Sequence, residues 1–146
     1  QTARVARRFG VQPKVAMLSF SNFGTSEELR TDRIEEAISI ARELDSDLVI
    51  DGPMQADTAL VPDIQTDYPF MAFDGPANVL ICPNLASANI AYKLLQRIAG
   101  AEMTGPILEG LSKPAHVLQR GDSVRDVVHM AAICAVDAQR HARQRL

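Results

Sequence analysis

Apolar positions along this chain follow two rhythms, short continuous runs and longer stretches of helical period, and the two alternate. Residues 15–20 (VAMLSF) form a largely apolar run after a Pro13 turn, which predicts a buried strand. Before it, residues 1–9 read as the tail of a helix closed by Gly10, so the chain is expected to open within an element. After it, Leu29, Ile34, Ile38, Ala41 and Leu44 share one helical face, and Thr25 with Glu28 fits a capping box at its start. Residues 48–50 then predict a short strand. Asp51-Gly52-Pro53 predicts a turn into a brief helix around residues 55–60, and residues 61–75 a polar connection punctuated by proline.

The alternation continues. Residues 78–82 form the next buried run, ended by Pro83. Asn84 can cap a helix that carries Ala88, Tyr92, Leu95 and Ile98 inward until Gly100 stops it. Residues 107–111 and 115–118 are apolar runs on either side of Lys113-Pro114, predicting a strand and an edge strand. A last helix from Val124 to about Arg143 places Val127, Val128, Ala131, Ala135 and Ala138 on one face. Strands alternating with helices predict an α/β fold of three layers, with a mostly parallel sheet covered on both sides. Ligands of such sheets collect beyond the carboxyl ends of the strands, where helix N-termini and loop amides converge.

Composition narrows this to an ordinary globular chain. With 146 residues, 47% hydrophobic and 23% charged, it can bury roughly two thirds of its surface without staples. Cys82 and Cys134 lack metal-ligand spacing, and His116, His129 and His141 are too widely spread for one helical face, so no metal site is expected. Thiols without partners fit a reducing cytoplasm. Apolar runs are strand-sized, and Arg4, Arg7 and Arg8 sit in an opening without a hydrophobic signal region, so neither a membrane span nor an export segment is expected.

The net charge of −3 is unevenly spread. Residues 1–21 hold four cations, residues 22–75 hold thirteen acids against three cations, and residues 76–146 hold eight cations against five acids. Basic ends suit a small polyanionic ligand. Nucleic acid calls for a denser cationic stripe with aromatics, and only 5% of residues are aromatic, which argues against it.

Several residues could carry chemistry. The loop of residues 19–26 (SFSNFGTS) follows a strand and leads to a helix, so Ser19, Ser21 and Asn22 could receive a phosphate, or simply shape a capped turn. It is not a P-loop, since no glycine-lysine pair follows. Asp51, Gln55 and Asp57 could orient a ligand or a divalent ion, or belong to turn chemistry alone. Lys93 and Arg97, four residues apart, could face a phosphate or only solvent. Arg120 precedes the backbone freedom of Gly121 and the N-terminus of the last helix, a good place to hold an anion. Asp126 could serve as a general base toward a thiol, but Ser123-x-x-Asp126 also reads as a near capping box, the reading that the residues favour.

The segments KVAMLSFSNFGT, DLVIDGPMQAD, ANVLICPNL, NIAYKLLQR, GPILEGLSKP, QRGDSVRDVV and MAAICAVDAQ, in this order, resemble those of phosphate acetyltransferases, which pass an acetyl group between coenzyme A and phosphate. The resemblance implies a three-layer fold of the isocitrate/isopropylmalate dehydrogenase-like type. It implies that residues 1–122 are the second subdomain of a two-subdomain module, and that residues 123–146 form a terminal helix packing on a first subdomain absent here. It further implies that Lys93, Arg120 and Asp126 belong to a site for acetyl-CoA and acetyl phosphate, the aspartate deprotonating the thiol and the arginine steadying the phosphate. The active enzymes have serine where this chain has Gln119. Losing such a donor to the reacting carbonyl typically costs about a hundredfold in rate.

SFSNFG, the YPF of residues 68–70 and KPAHVLQRG are similar to one branch, the carboxyl-terminal acetyltransferase-like region of large bacterial NADP-dependent malic enzymes. That likeness implies a regulatory, oligomerising module that senses acetyl-CoA. NADP and a divalent metal would then be needed only in an amino-terminal malic-enzyme region outside this chain, and self-association through the Val127, Ala131 and Ala135 face is expected. Three functions compete: an acetyl-CoA sensor without acetyl transfer, a working phosphate acetyltransferase using CoA as substrate, and a pure assembly domain. Gln119 favours the first over the second. Lys93, Arg120 and Asp126 favour it over the third.

Overall fold

In a computed structural model, the structure describes residues 1–24 and 31–143, and it divides into two compact units. One holds residues 2–93; the other runs from Leu94 onward and includes Gln1. The first comprises helix α1 (Thr2–Arg8), strand β1 (Lys14–Leu18), helix α2 (Thr31–Leu44), strand β2 (Val49–Met54), the short helices α3 (Ala56–Leu60) and α4 (Pro62–Gln65), and strand β3 (Val79–Ile81). Helix α5 (Leu85–Ile98) begins there and ends in the second unit, which carries helix α6 (Val124–Arg143).

The three strands form a parallel sheet in the order β2-β1-β3, with Lys14 beside Val49 and Val15 beside Val79. Residues alternate across the sheet, so β1 feeds two cores. Val15 joins Ile38, Ile50 and Val79 on one face, where Ala3 and Ala6 of α1 and Ile34 and Ala41 of α2 pack. Ala16 joins Met54, Ala59, Phe73 and Ala77 on the other. The expected α/β fold with a parallel sheet, apolar on both sides, is what forms.

Several boundaries differ from expectation, each for a local reason. β1 stops at Leu18, because its register against β2 shifts between Ala16 and Leu18 and Ser19 N–H then donates to Met54 O (2.8 Å). Phe20, expected within the strand, is 57% exposed. β2 does not turn at Asp51-Gly52-Pro53 but runs through to Met54. Gly52 permits this: its φ is +137°, and a Cβ there would lie 2.6 Å from Met17 O, so only glycine lets the strands pass so close. The connection before β3 contains α4, started by Pro62 at its first turn.

Helix α2 buries Ile38, whereas Leu44 at its end is 81% exposed, and the Thr25–Glu28 cap and Leu29 lie outside the described residues. Asn84 caps α5 as expected, accepting Ser87 N–H (2.9 Å), and Gly100 ends it with φ +63°. Leu95 and Ile98, expected inward, are instead exposed, Ile98 at 80%. The runs at 107–111 and 115–118 form no strands. Pro106 and Pro114 cannot donate to a ladder, and the Leu108 amide is taken by a side chain, His116 Nδ1 (3.2 Å). Helix α6 matches its predicted span, with Met130 and Asp137 buried and the Val127, Val128, Ala131, Ala135 and Ala138 face exposed.

Candidate functional site

The loop after β1 lies at the carboxyl edge of the sheet, where Phe23 N–H donates to Pro53 O (2.7 Å). Asn22 is fully engaged in shaping it. Its carboxamide oxygen accepts Gln55 N–H (2.7 Å), and its nitrogen donates to the Tyr68 hydroxyl (3.1 Å). Gln55 in turn donates its side-chain N–H to Phe20 O (2.7 Å). Phe23, with φ +46°, packs its ring against Tyr68 and Phe70 at centroid distances of 5.2 and 4.9 Å. Ser19 is half-buried, and Ser21 is buried with no partner for its hydroxyl among the described residues. Among the described residues of this loop, 19–24, the hydroxyls of Ser19 and Ser21 remain uncommitted candidates for a ligand.

Asp51 serves the backbone. Its two oxygens accept Gly52 N–H (2.9 Å) and Ala72 N–H (2.7 Å), and Arg42 lies 3.8 Å away as counter-ion. Asp57 likewise accepts the neighbouring Thr58 N–H (2.8 Å). Backbone hydrogen bonding therefore accounts for both acids, although the turn expected at Asp51 does not form. On α5, Lys93 and Arg97 are exposed, and the Lys93 ammonium lies 4.8 Å from the centroid of the Tyr92 ring, a cation–π contact.

In the second unit, the residues before α6 form a tight turn. Asp122 N–H donates to Gln119 O (3.1 Å), and the Asp122 carboxylate accepts Gln119 N–H (2.6 Å). Arg120 and Gly121 form its exposed tip. Ser123 then caps α6 with Asp126: Asp126 Oδ2 accepts the Ser123 amide (2.9 Å) and hydroxyl (2.7 Å), while Asp126 N–H donates to Ser123 Oγ (3.2 Å). The Ser123 hydroxyl bond, then its amide bond, hold the Asp126 carboxyl below the usual aspartate value, with His129 and Arg125 adding attraction. A base so stabilised as its anion draws a thiol proton weakly. It also neutralises part of the positive helix end, leaving the Arg120 guanidinium as the principal anion-attracting group of the turn.

Ser19, Ser21, Asn22 and Lys93 thus fall in one unit, and Gln119, Arg120 and Asp126 in the other. Sequence reading missed the bracing of Asn22 by Gln55 and Tyr68, because those partners are 33 and 46 residues away. It also missed Asp137, buried on α6 with its carboxylate 3.3 Å from His116 Nε2. An acid inside the apolar stretch ICAVDA was the available signal. Among the described residues, no group of three or more His, Cys, Asp or Glu side chains is placed to hold a metal ion, and no helix is long and apolar enough to cross a membrane.

Residues 1–135 match the family described as "Phosphate acetyl/butaryl transferase". The chain is 46% identical over 140 residues to an NADP-dependent malic enzyme of Salmonella typhimurium, covering 94% of this chain and 18% of that protein. It is 46% identical over 131 residues to a phosphate acetyltransferase of Acetivibrio thermocellus, covering 89% of this chain and 40% of that enzyme. Among solved structures, a phosphotransacetylase from Streptococcus pyogenes superposes with a TM-score of 0.89 at 42% identity, over 95% of this chain and 43% of that one. The chain thus spans less than half the length of these relatives. The match over residues 1–135 places the chain in the phosphate acetyl/butyryl transferase family.

Proposed function

We propose that this chain is the carboxyl-terminal, phosphotransacetylase-like part of an NADP-dependent malic enzyme, and that it senses acetyl-CoA and self-associates without transferring acetyl groups. The observation that carries this reading is the state of the Gln119–Asp126 segment, where the cation is available and the base is occupied. Arg120 is exposed at a turn tip and has no hydrogen bond or ion pair among the described residues. Asp126 is held by Ser123 and its carboxyl is lowered in pKa. Gln119, where active relatives are expected to carry serine, lacks the hydroxyl that would assist the reacting carbonyl. Recognition is retained and the reaction is dropped. In this reading, α6 is the helix that meets the preceding subdomain, and its exposed Val127 face supports self-association.

The test uses the full-length protein. Malate-dependent NADP reduction is followed while acetyl-CoA is titrated, and acetyl transfer to phosphate is assayed separately. Inhibition or activation in the first with no turnover in the second supports the sensor. Turnover without any effect on malate oxidation overturns it in favour of a working transferase, and neither response assigns the chain to assembly alone.

A further inference from the structure

The segment that delivers Arg120 to α6 has no strand ladder to fix it. Residues 105–118 are instead tied to α6 by two side-chain contacts, one from each side. Cys134 of α6 donates its thiol hydrogen to Pro114 O (3.8 Å). His116 faces Asp137 of α6, with Nε2 3.3 Å from Oδ2, and both side chains are buried, 4% and 10% exposed.

The protonation of His116 follows from its other nitrogen. Nδ1 accepts the Leu108 amide proton (3.2 Å), and an imidazole nitrogen that accepts a proton carries none itself. A neutral His116 therefore bears its hydrogen on Nε2, the nitrogen turned toward Asp137. That N–H points off the straight line of a hydrogen bond, and Nε2 has no hydrogen-bond partner among the described residues. The attraction is one of charge to dipole, strengthened by the low dielectric of a buried site. Removing Asp137 leaves the buried His116 Nε2 facing no charge.

We propose that His116 and Asp137 are the positioning pair of the Arg120 turn. Leu108 N–H selects the tautomer, Asp137 orients the ring, and the ring holds the three-residue link that ends at Gln119. Arg120 is then presented from a fixed base. The consequence for acetyl-CoA rests on the sensor reading above, but the positioning itself does not.

Three side-chain replacements separate the two contacts in the full-length protein. Asparagine in His116→Asn puts its amide oxygen near the Nδ1 position and keeps the Leu108 bond without reaching Asp137. Glutamine in His116→Gln reaches the Nε2 position and keeps the Asp137 contact. Alanine in His116→Ala removes both. Nitrogen spectra of selectively labelled histidine read the tautomer, with the His116 signal identified by its loss in the asparagine variant. Amide hydrogen exchange reads the order of residues 119–122.

Nε2–H is the expected tautomer. His116→Asn and His116→Ala are expected to speed exchange in the turn about tenfold, and His116→Gln by no more than about twofold. Acetyl-CoA affinity should fall in the same order. An Nδ1–H tautomer, or wild-type exchange in His116→Asn, overturns the proposal even if the alanine variant fails to fold. Absence of acetyl-CoA binding to the wild-type protein removes the sensor reading, and the exchange ranking still decides the positioning role.

Discussion

A single oxygen of Asp126 binds both the amide (2.9 Å) and the hydroxyl (2.7 Å) of Ser123, so the acid and the residue that starts α6 lock one another. Because folding lowers the Asp126 pKa, its contribution is complete above the unfolded value of about 4 and disappears as pH falls through the folded value below it. Ser123→Ala removes the largest cause of the lowering. The Asp126 titration, followed by carboxyl carbon NMR, should then move up toward the ordinary aspartate value, and the lost cap should cost about 1 kcal/mol in chemical denaturation.

At Gly52 the prediction concerns backbone space. A methyl group added there meets Met17 O at 2.6 Å, and φ is +137°. Gly52→Ala should destabilise the protein by about 3 kcal/mol, combining strain with forced separation of β1 from β2. Urea unfolding measures it. A change below about 0.5 kcal/mol would show that the strands are not held this closely.

Burial separates two apolar residues that look alike in sequence. Met54 is fully buried between the sheet and α3, whereas Leu44 stands 81% exposed at the end of α2. Met54→Ala should cost about 3 kcal/mol, and Leu44→Ala within about 0.5 kcal/mol of nothing. The midpoints of denaturation report both.

For the sensor reading, Arg120→Ala should weaken acetyl-CoA binding about tenfold, the loss of one charge-assisted contact. Calorimetry on the full-length protein reads this. Unchanged affinity would remove Arg120 from the site. Gln119→Ser should leave binding within about threefold while restoring measurable acetyl transfer only if Asp126 can be released from Ser123.

Much of the architecture was legible because the sheet is buried on both faces, and buried strands announce themselves as apolar runs. Val15, Ile50 and Val79 were all found that way. The reading failed where a run's fate depends on distant backbone: residues 107–111 look like a strand, but the Leu108 amide bonds His116 rather than a neighbour. Gly52-Pro53 looks like a turn, yet the glycine serves close strand approach instead of reversal. At the candidate site, the Ser123–Asp126 cap was visible because it is local. Asn22 was visible only as a polar loop residue, since Gln55 and Tyr68 reach it through the fold.

The central place of β1 carries a cost in assembly. Of the three described strands it comes first in sequence, and both its neighbours come later, β2 from Val49 and β3 from Val79. Neither β2 nor β3 pairs with the other, so each must find β1 across a long intervening stretch of chain, and such non-local pairing slows folding. During synthesis, one edge of β1 therefore stays open until Ile81 has emerged from the ribosome. During that interval, Val15 and Ala16, which are buried in the finished sheet, are available to a chaperone.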